Sequence, residues 1–353
     1  AAATYAPRVP MMLIEPAATN TARYSESAVN YNYNSGITKE TTNELAPNGQ
    51  ASAFKITPDG SNITVRSGSS YTYSGSYNAG DVVSVSMWLK TDGYDYFVRV
   101  GGFFGSEGAL FDTIDGSNVS NEANVISASS EDYGNGWFRY KVTYTFQNTI
   151  NNNYLYAGLR LYKRDASGNP TSWDATGETT GILVYGTQFE LGSLATSYIP
   201  TDNNIDGVTR AADDLVIDGS DFTNFYNQSE GTVYIEWQRE ATNTVYPFTI
   251  SDGSSANYIR INNASTCRIK TGSSEQASLS LGSSNTGQIN RAAVSFAANN
   301  FDGSKNGGAV VSDSAGTTPT VNQLQIGGIY TQGSEINGHI KRLIYWPHHS
   351  DNI

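Results

Sequence analysis

At 353 residues, with a formal net charge of −12 and 15% charged side chains, the chain exceeds the ~250–300 residues at which one hydrophobic core usually divides, so two domains are expected. The acidity argues against nucleic acid, which demands clustered Lys and Arg, and equally against anionic membrane surfaces. The single cysteine, Cys267, excludes an internal disulfide framework, and no run approaches the ~18 apolar residues of a membrane span.

In chain order, residues 1–22 read as an extended lead segment broken by Pro7, Pro10 and Pro16. They lack a basic region followed by a long apolar core, so no signal peptide is expected. From residue 23 the apolar residues recur with period two. One stripe is Val83, Val85, Met87 and Leu89; a second is Phe138, Tyr140, Val142, Tyr144 and Phe146; a third is Leu155, Ala157, Leu159 and Leu161. Each is the signature of a strand with one buried face. GILVYGTQFEL (181–191) alternates likewise, which predicts Leu183, Tyr185, Thr187, Phe189 and Leu191 on one side and Val184, Gly186, Gln188 and Glu190 on the other. Pro200 then stops sheet pairing because it has no N–H to donate, and TDNNIDG (201–207) is turn chemistry.

Strand patterns resume in GTVYIEWQRE (231–240), with Val233, Ile235 and Trp237 on one face and Tyr234 and Glu236 on the other. NYIRINN, TCRIKT, RAAVSFAAN, QLQIGGIY and HIKRLIYWP follow as strands, with SDGSS and FDGSKNGG as turns. Cys267 sits inside such a strand and reads as a buried, inert thiol. No helix-period stretch of any length occurs, so the fold class is all-β: two β-sandwich (jelly-roll) domains in tandem. Their expected bounds are a lead segment at 1–22, a first domain at 23–199, a linker at 200–213 and a second domain at 214–353.

Three motifs carry a resemblance. QFELGSLATSYIPT followed by VTRAAD (188–213) resembles the seam of bacteriophage tail-fibre and virion-appendage proteins, where a carbohydrate-binding-module-like jelly roll meets a laminin-G-like or concanavalin-like sandwich. LIEPAATN (13–20) with RYSES (23–27) resembles that family's opening into the first jelly roll. SVSMWLK, NGWFRYKVTYTF and NGHIKRLIYWP resemble its inner and closing strands. The family usually continues past that closing strand into a short acidic-apolar helix, and AAATYAPRVP reads as the middle of a longer lead-in, so a fragment or a compacted relative is expected. The resemblance implies a non-enzymatic structural protein of a phage particle, a tail fibre or capsid/tail appendage made in the host cytoplasm and exposed outside it. It further implies other virion proteins and host cell-surface polysaccharide as partners, a homo-oligomer (a trimer in this family), and structural calcium.

Glycan contact requires flat aromatic faces beside hydrogen-bonding side chains. YLYAGLRLYKR supplies Tyr156, Arg160 and Tyr162 opposite its leucines, a shallow groove if that face is the concave one. Trp173 lies among turn residues in DASGNPTSWDATGE; it is either a ligand contact or a plug at the sandwich end or at a subunit contact. Tyr94 and Tyr96 in GYDYFVRV are second-rank candidates. For catalysis, the E-x-D-x-x-E strand of concanavalin-like hydrolases is missing; Glu236 and Glu240 share a face without the intervening Asp and read as a solvated edge. His339, His348 and His349 all lie at one end of the sequence, which disfavours a nucleophile–histidine site. Oxygen-rich loops TDNNIDG, DGSDFTN and FDGSKNGG suit a hard cation without placing one. Two alternatives therefore stand beside glycan binding: a purely architectural decoration protein, and a polysaccharide-degrading enzyme.

Overall fold

The computed structural model describes residues 11–27, 33–35, 37–58, 64–67, 76–95, 97–102, 106–151, 157–171, 179–201, 207–240, 245–262, 265–331, 334–351 and 353. The chain forms two compact units, one of Ala18–Arg210 and one of Ala1–Ala17 together with Ala211–Ile353. Both are antiparallel β-sandwiches, as the all-β reading expects. No helix among the described residues is long and apolar enough to cross a membrane.

The Ala18–Arg210 unit packs two six-stranded sheets. One runs Val125–Gly134, Trp137–Thr145, Val82–Asp92, Gly181–Leu191, Phe54–Pro58, Ile37–Thr41; the other runs Asn118–Asn121, Gly108–Asp112, Phe97–Gly101, Ala157–Tyr162, Thr64–Ser67, Tyr33–Ser35. The period-two stripes become the core between them. Val83, Val85, Met87, Leu89, Tyr140, Val142 and Tyr144 face Val98, Val100, Phe111, Leu159 and Leu161, each burial contributing roughly 1.5–3 kcal/mol. Asn135 and Gly136 close the hairpin before Trp137 with φ of 52° and 80°, the left-handed pair that a two-residue turn between twisted strands requires.

Strand Gly181–Leu191 departs from the simple alternation. A register shift between Tyr185 and Gln188, at Gly186 with φ 64°, inserts one extra residue. The extra residue reverses the inside–outside parity, so Phe189 joins Ile182 and Val184 in the core while Leu183 and Tyr185 pack on the opposite face with Trp88 and Trp137.

The seam motif folds back onto that opposite face as a buried polar clasp. Gln188 Nε2 donates to Glu190 Oε2 (2.7 Å), and Gln188 Oε1 accepts from Ile199 N (2.7 Å). Glu190 accepts from Thr196 N (3.0 Å) and Thr196 Oγ1 (2.5 Å), while Arg139 Nη2 donates to Thr196 O (2.6 Å). Burial raises the Glu190 carboxyl above its ordinary value, and these donors with Arg139 only partly offset it. Asn20, from the opening motif, completes the clasp with no exposure of its own. It donates to Ile199 O (2.7 Å) and Thr187 O (3.2 Å) and accepts from Phe189 N (2.9 Å) and Ala22 N (3.0 Å). Two motifs distant in sequence are thus one structural device.

In the second unit, one sheet runs Met12–Ile14, Gly338–Trp346, Glu230–Arg239, Asn290–Ala297, Asn300–Lys305, Val311–Asp313; the other runs Val216–Asp218, Gln323–Ile326, Phe248–Ser251, Tyr258–Asn262, Thr266–Thr271, Ser274–Ser280. Residues Met12–Ile14, within the segment expected as a lead, form an edge strand on Gly338–Trp346, and Ala18–Asn20 pairs with Val208–Arg210 in the other unit. FDGSKNGG is a turn only at Asn306 and Gly307, both at positive φ. Its first half belongs to strand Asn300–Lys305 because Phe301 is anchored, fully buried, in the core. DGSDFTN folds into the five-residue helix Gly219–Thr223, whose Phe222 is buried against Tyr226.

Cys267 lies fully buried in Thr266–Thr271, and burial pushes its thiol up to about 12. The thiolate is the reactive form. Incubation of the native protein with a thiol-directed reagent at pH 8 is therefore expected to label nothing, whereas the same reagent in 6 M guanidinium labels one site per chain.

Candidate functional site

Three neighbouring strands of the Ala18–Arg210 unit build the face that the sequence reading singles out. Their register sets Leu110, Arg99 and Arg160 in one row and Asp112, Phe97 and Tyr162 in the next. Because side chains alternate across a strand, the inward positions Ala109, Phe111, Val98, Val100, Leu159 and Leu161 fill the core, and these two rows face the other way.

Arg99 organises the first row. Its Nε and Nη2 make a two-pronged contact with Glu122 (2.7 and 2.6 Å) and its Nη1 donates to Gly102 O (2.9 Å). The planar guanidinium matches a carboxylate in this way, where an ammonium would not. Glycine at 108 leaves room for this fork: an added Cβ would stand 2.2 Å from the Arg99 guanidinium carbon and displace it. Gly108 N also donates to Glu122 Oε2 (2.8 Å). Burial by itself would raise the Glu122 carboxyl, but the Arg99 fork, the Gly108 N–H and the charge of Arg160 outweigh it and hold the group below its ordinary value. It stays ionised.

The second row is fixed by Arg164. Its guanidinium stacks 4.2 Å from the centre of the Phe97 ring, and Nη2 donates to Asp112 Oδ2 (2.7 Å). Linking the two rows, Arg160 of the first and Tyr162 of the second are half-buried and hydrogen-bonded to each other. Burial raises the Tyr162 phenol, with Arg99 and Arg160 opposing. The face therefore holds three guanidinium groups, two carboxylates and two rings, with every charge beside an opposite one.

Of the six residues expected at a glycan site, Arg160 and Tyr162 lie together here. Tyr156, Trp173 and Tyr96 lie outside the described residues. Tyr94 requires a correction: it is fully buried in the core, with its hydroxyl donating to Tyr162 O (3.1 Å), so it supports this face from beneath and offers no surface to a ligand. Sequence reading missed Phe97, Arg99, Glu122 and Arg164. The alternation of Phe97-Val98-Arg99-Val100 does place Phe97 and Arg99 outward, but nothing local pairs Arg99 with Glu122, 23 residues away.

Glu236, in strand Glu230–Arg239, and Glu240, just beyond it, have different surroundings. Glu236 is buried, accepts from Tyr234 Oη (2.8 Å), and lies 3.4 Å from Lys341 Nζ and 3.9 Å from Arg291 Nε. Burial would raise it, but Tyr234, Lys341 and Arg291 prevail and hold it below its ordinary value. It is thus no solvated edge but an ion-paired group. Glu240 accepts from Gln238 Nε2 (2.8 Å).

No protein-family model and no curated protein sequence matches the chain. Among solved structures it is similar to mouse laminin alpha1 chain domains LG4-5, at 14% identity over 78% of this chain and 88% of that one, with a TM-score of 0.28. It is similar also to the CBM22-1–CBM22-2 tandem domain of Paenibacillus barcinonensis Xyn10C, at 11% identity over 99% and 100% of the two chains, with a TM-score of 0.29. A third is the tripod from the baseplate of bacteriophage Tuc2009, at 13% identity over 87% and 92%, with a TM-score of 0.28.

Proposed function

We propose that the chain is a structural and adhesive component of a bacteriophage particle whose Ala18–Arg210 unit holds host surface glycan on its Arg99–Arg160 face. The observation that carries this reading is the half-exposed pair Arg160 and Tyr162, a fork of donors beside a flat ring. Sugar hydroxyls and carboxylates accept from guanidinium, and the C–H face of a pyranose lies on a ring. The neighbouring ion pairs Arg99–Glu122 and Arg164–Asp112 hold the surround in place, so binding orders few additional rotamers. The phage-appendage motifs of the clasp supply the particle setting, where repeated copies raise avidity by about 10²–10⁴ over a weak single site. Glu236, held ionised by cations, is suited to no general-acid role.

The direct test is retention of the protein on immobilised host-cell polysaccharide. Arg160→Ala is expected to weaken retention about tenfold, the worth of one charge-assisted hydrogen bond, with an unchanged near-ultraviolet dichroism spectrum. Equal retention by the variant, or none by the parent, removes the adhesive part.

A purely architectural role has its own observation. Met11, Met12 and Leu13 stand 37%, 39% and 40% exposed on or beside an edge strand, and an apolar edge is a template for pairing with another chain. On that reading sedimentation gives a homo-oligomer, a trimer by resemblance, that Met12→Lys dissociates, and polysaccharide retention is nil.

A further inference from the structure

We infer that Asp302, His349 and Asp351 form a binding site for a divalent transition ion of the zinc class, which fastens segment 347–351 to the outer face of the second unit. The backbone builds the site. Thr232, Ser295, Asp302 and Ser312 are direct neighbours across four strands, a row of small polar side chains on the side away from the core. After strand Gly338–Trp346, the chain lies along this row. Thr232 Oγ1 donates to His348 O (2.8 Å), Ser350 N donates to Ser295 Oγ (2.8 Å), and His349 N donates to Glu230 Oε2 (3.3 Å).

These bonds deliver the His349 ring to Asp302. Its Nε2 lies 3.2 Å from Asp302 Oδ2, while Asp351 Oδ1 stands 3.3 Å from the ring's other nitrogen, Nδ1, so an ion held by Nε2 and Asp302 gains Asp351 by rotation of that exposed side chain. One ligand atom from each of the three residues falls within 4.8 Å of the others. Asp302 is further oriented by a hydrogen bond from Ser312 Oγ, the kind of outer support that fixes a metal ligand.

A second observation points to a ligand. The His349 side chain is 8% exposed, and its Nε2 is sealed from solvent yet makes no hydrogen bond. The carboxylate 3.2 Å away therefore sits off the N–H direction. Two ligands about 2.0–2.2 Å from one zinc ion stand about 3 Å apart, which is this spacing. A ring nitrogen with carboxylate oxygens suits zinc and its neighbours, whereas calcium prefers oxygen alone. Asp351, 87% exposed, leaves a path from solvent.

The experiment takes the full chain, strips it with chelator, dialyses it against Zn²⁺ and counts bound metal. About one zinc per chain is expected, together with a higher melting temperature than the stripped protein. Co²⁺ in its place should give the visible d–d bands of a nitrogen-containing site. Asp302→Asn, which preserves shape, and His349→Gln should each weaken zinc binding about a hundredfold or more, while the exposed Asp221→Asn changes nothing. No retained zinc, or retention that survives both substitutions, overturns the assignment. So does a melting temperature that does not respond to zinc.

Discussion

Replacing Asn20 by alanine is expected to destabilise the Ala18–Arg210 unit by about 4 kcal/mol, because four buried backbone groups lose their partner and each unmet group costs ~1–3 kcal/mol. Those groups are the N–H of Phe189 and Ala22 and the C=O of Thr187 and Ile199. Water admitted to the vacated space recovers part of the loss. Asn20→Asp is expected to do no better: it keeps the two acceptor contacts but turns a carboxylate oxygen toward two carbonyls. Amide exchange in strand Gly181–Leu191, with denaturant unfolding, measures the effect. A change below ~1 kcal/mol would mean that the clasp is ornamental.

The second large effect belongs to Trp237. It is fully buried in the core of the other unit, with Val233 and Ile235 on the same face of its strand. Trp237→Ala removes the largest fully buried side chain of the described residues and leaves a cavity, for which core truncations set ~3–5 kcal/mol. Urea unfolding of the full chain should place the loss in the transition of the unit containing strand Glu230–Arg239. Trp237→Phe, which keeps most of the apolar volume, should lose visibly less. Equal losses in both variants would contradict this, because the buried indole N–H of Trp237 makes no hydrogen bond that either substitution could remove.

The parts of the structure that sequence could reveal are those with local causes. Val82–Asp92 and Glu230–Arg239 announce themselves because an alternating strand must bury one face whatever it pairs with. Asn135-Gly136 does so because a two-residue hairpin requires left-handed backbone. What escaped has non-local causes. The parity reversal at Gly186 follows from a bulge, and nothing before it breaks the pattern. Asn20 reads as the end of a motif, yet three of its four partners lie 167–179 residues further along. Tyr94 looks like a surface aromatic beside Asp95, and only the sheet shows it buried. At the candidate site the outward rank of Arg160 and Tyr162 was readable from their spacing to Leu159 and Leu161. The Arg99–Glu122 fork was not, because it joins two strands. His349 read as one of three terminal histidines until the sheet supplied Asp302.

The shared character of two carboxylate environments bears on function. Glu122 and Glu236 are each tied to cations and held ionised, an arrangement for fixing charge in place rather than for passing protons. A surface that recognises glycan needs that fixity, since guanidinium groups already locked by partners keep their geometry when a sugar arrives. Host polysaccharide incubated with the protein should accordingly keep its chain length.

Hydrogen–deuterium exchange with and without host-cell polysaccharide tests the central claim most directly. Protection is expected in strands Phe97–Gly101, Gly108–Asp112 and Ala157–Tyr162, and it should vanish in Arg160→Ala. Protection confined to the unit containing Ala211–Ile353, protection that persists in that variant, or none in the parent would contradict it.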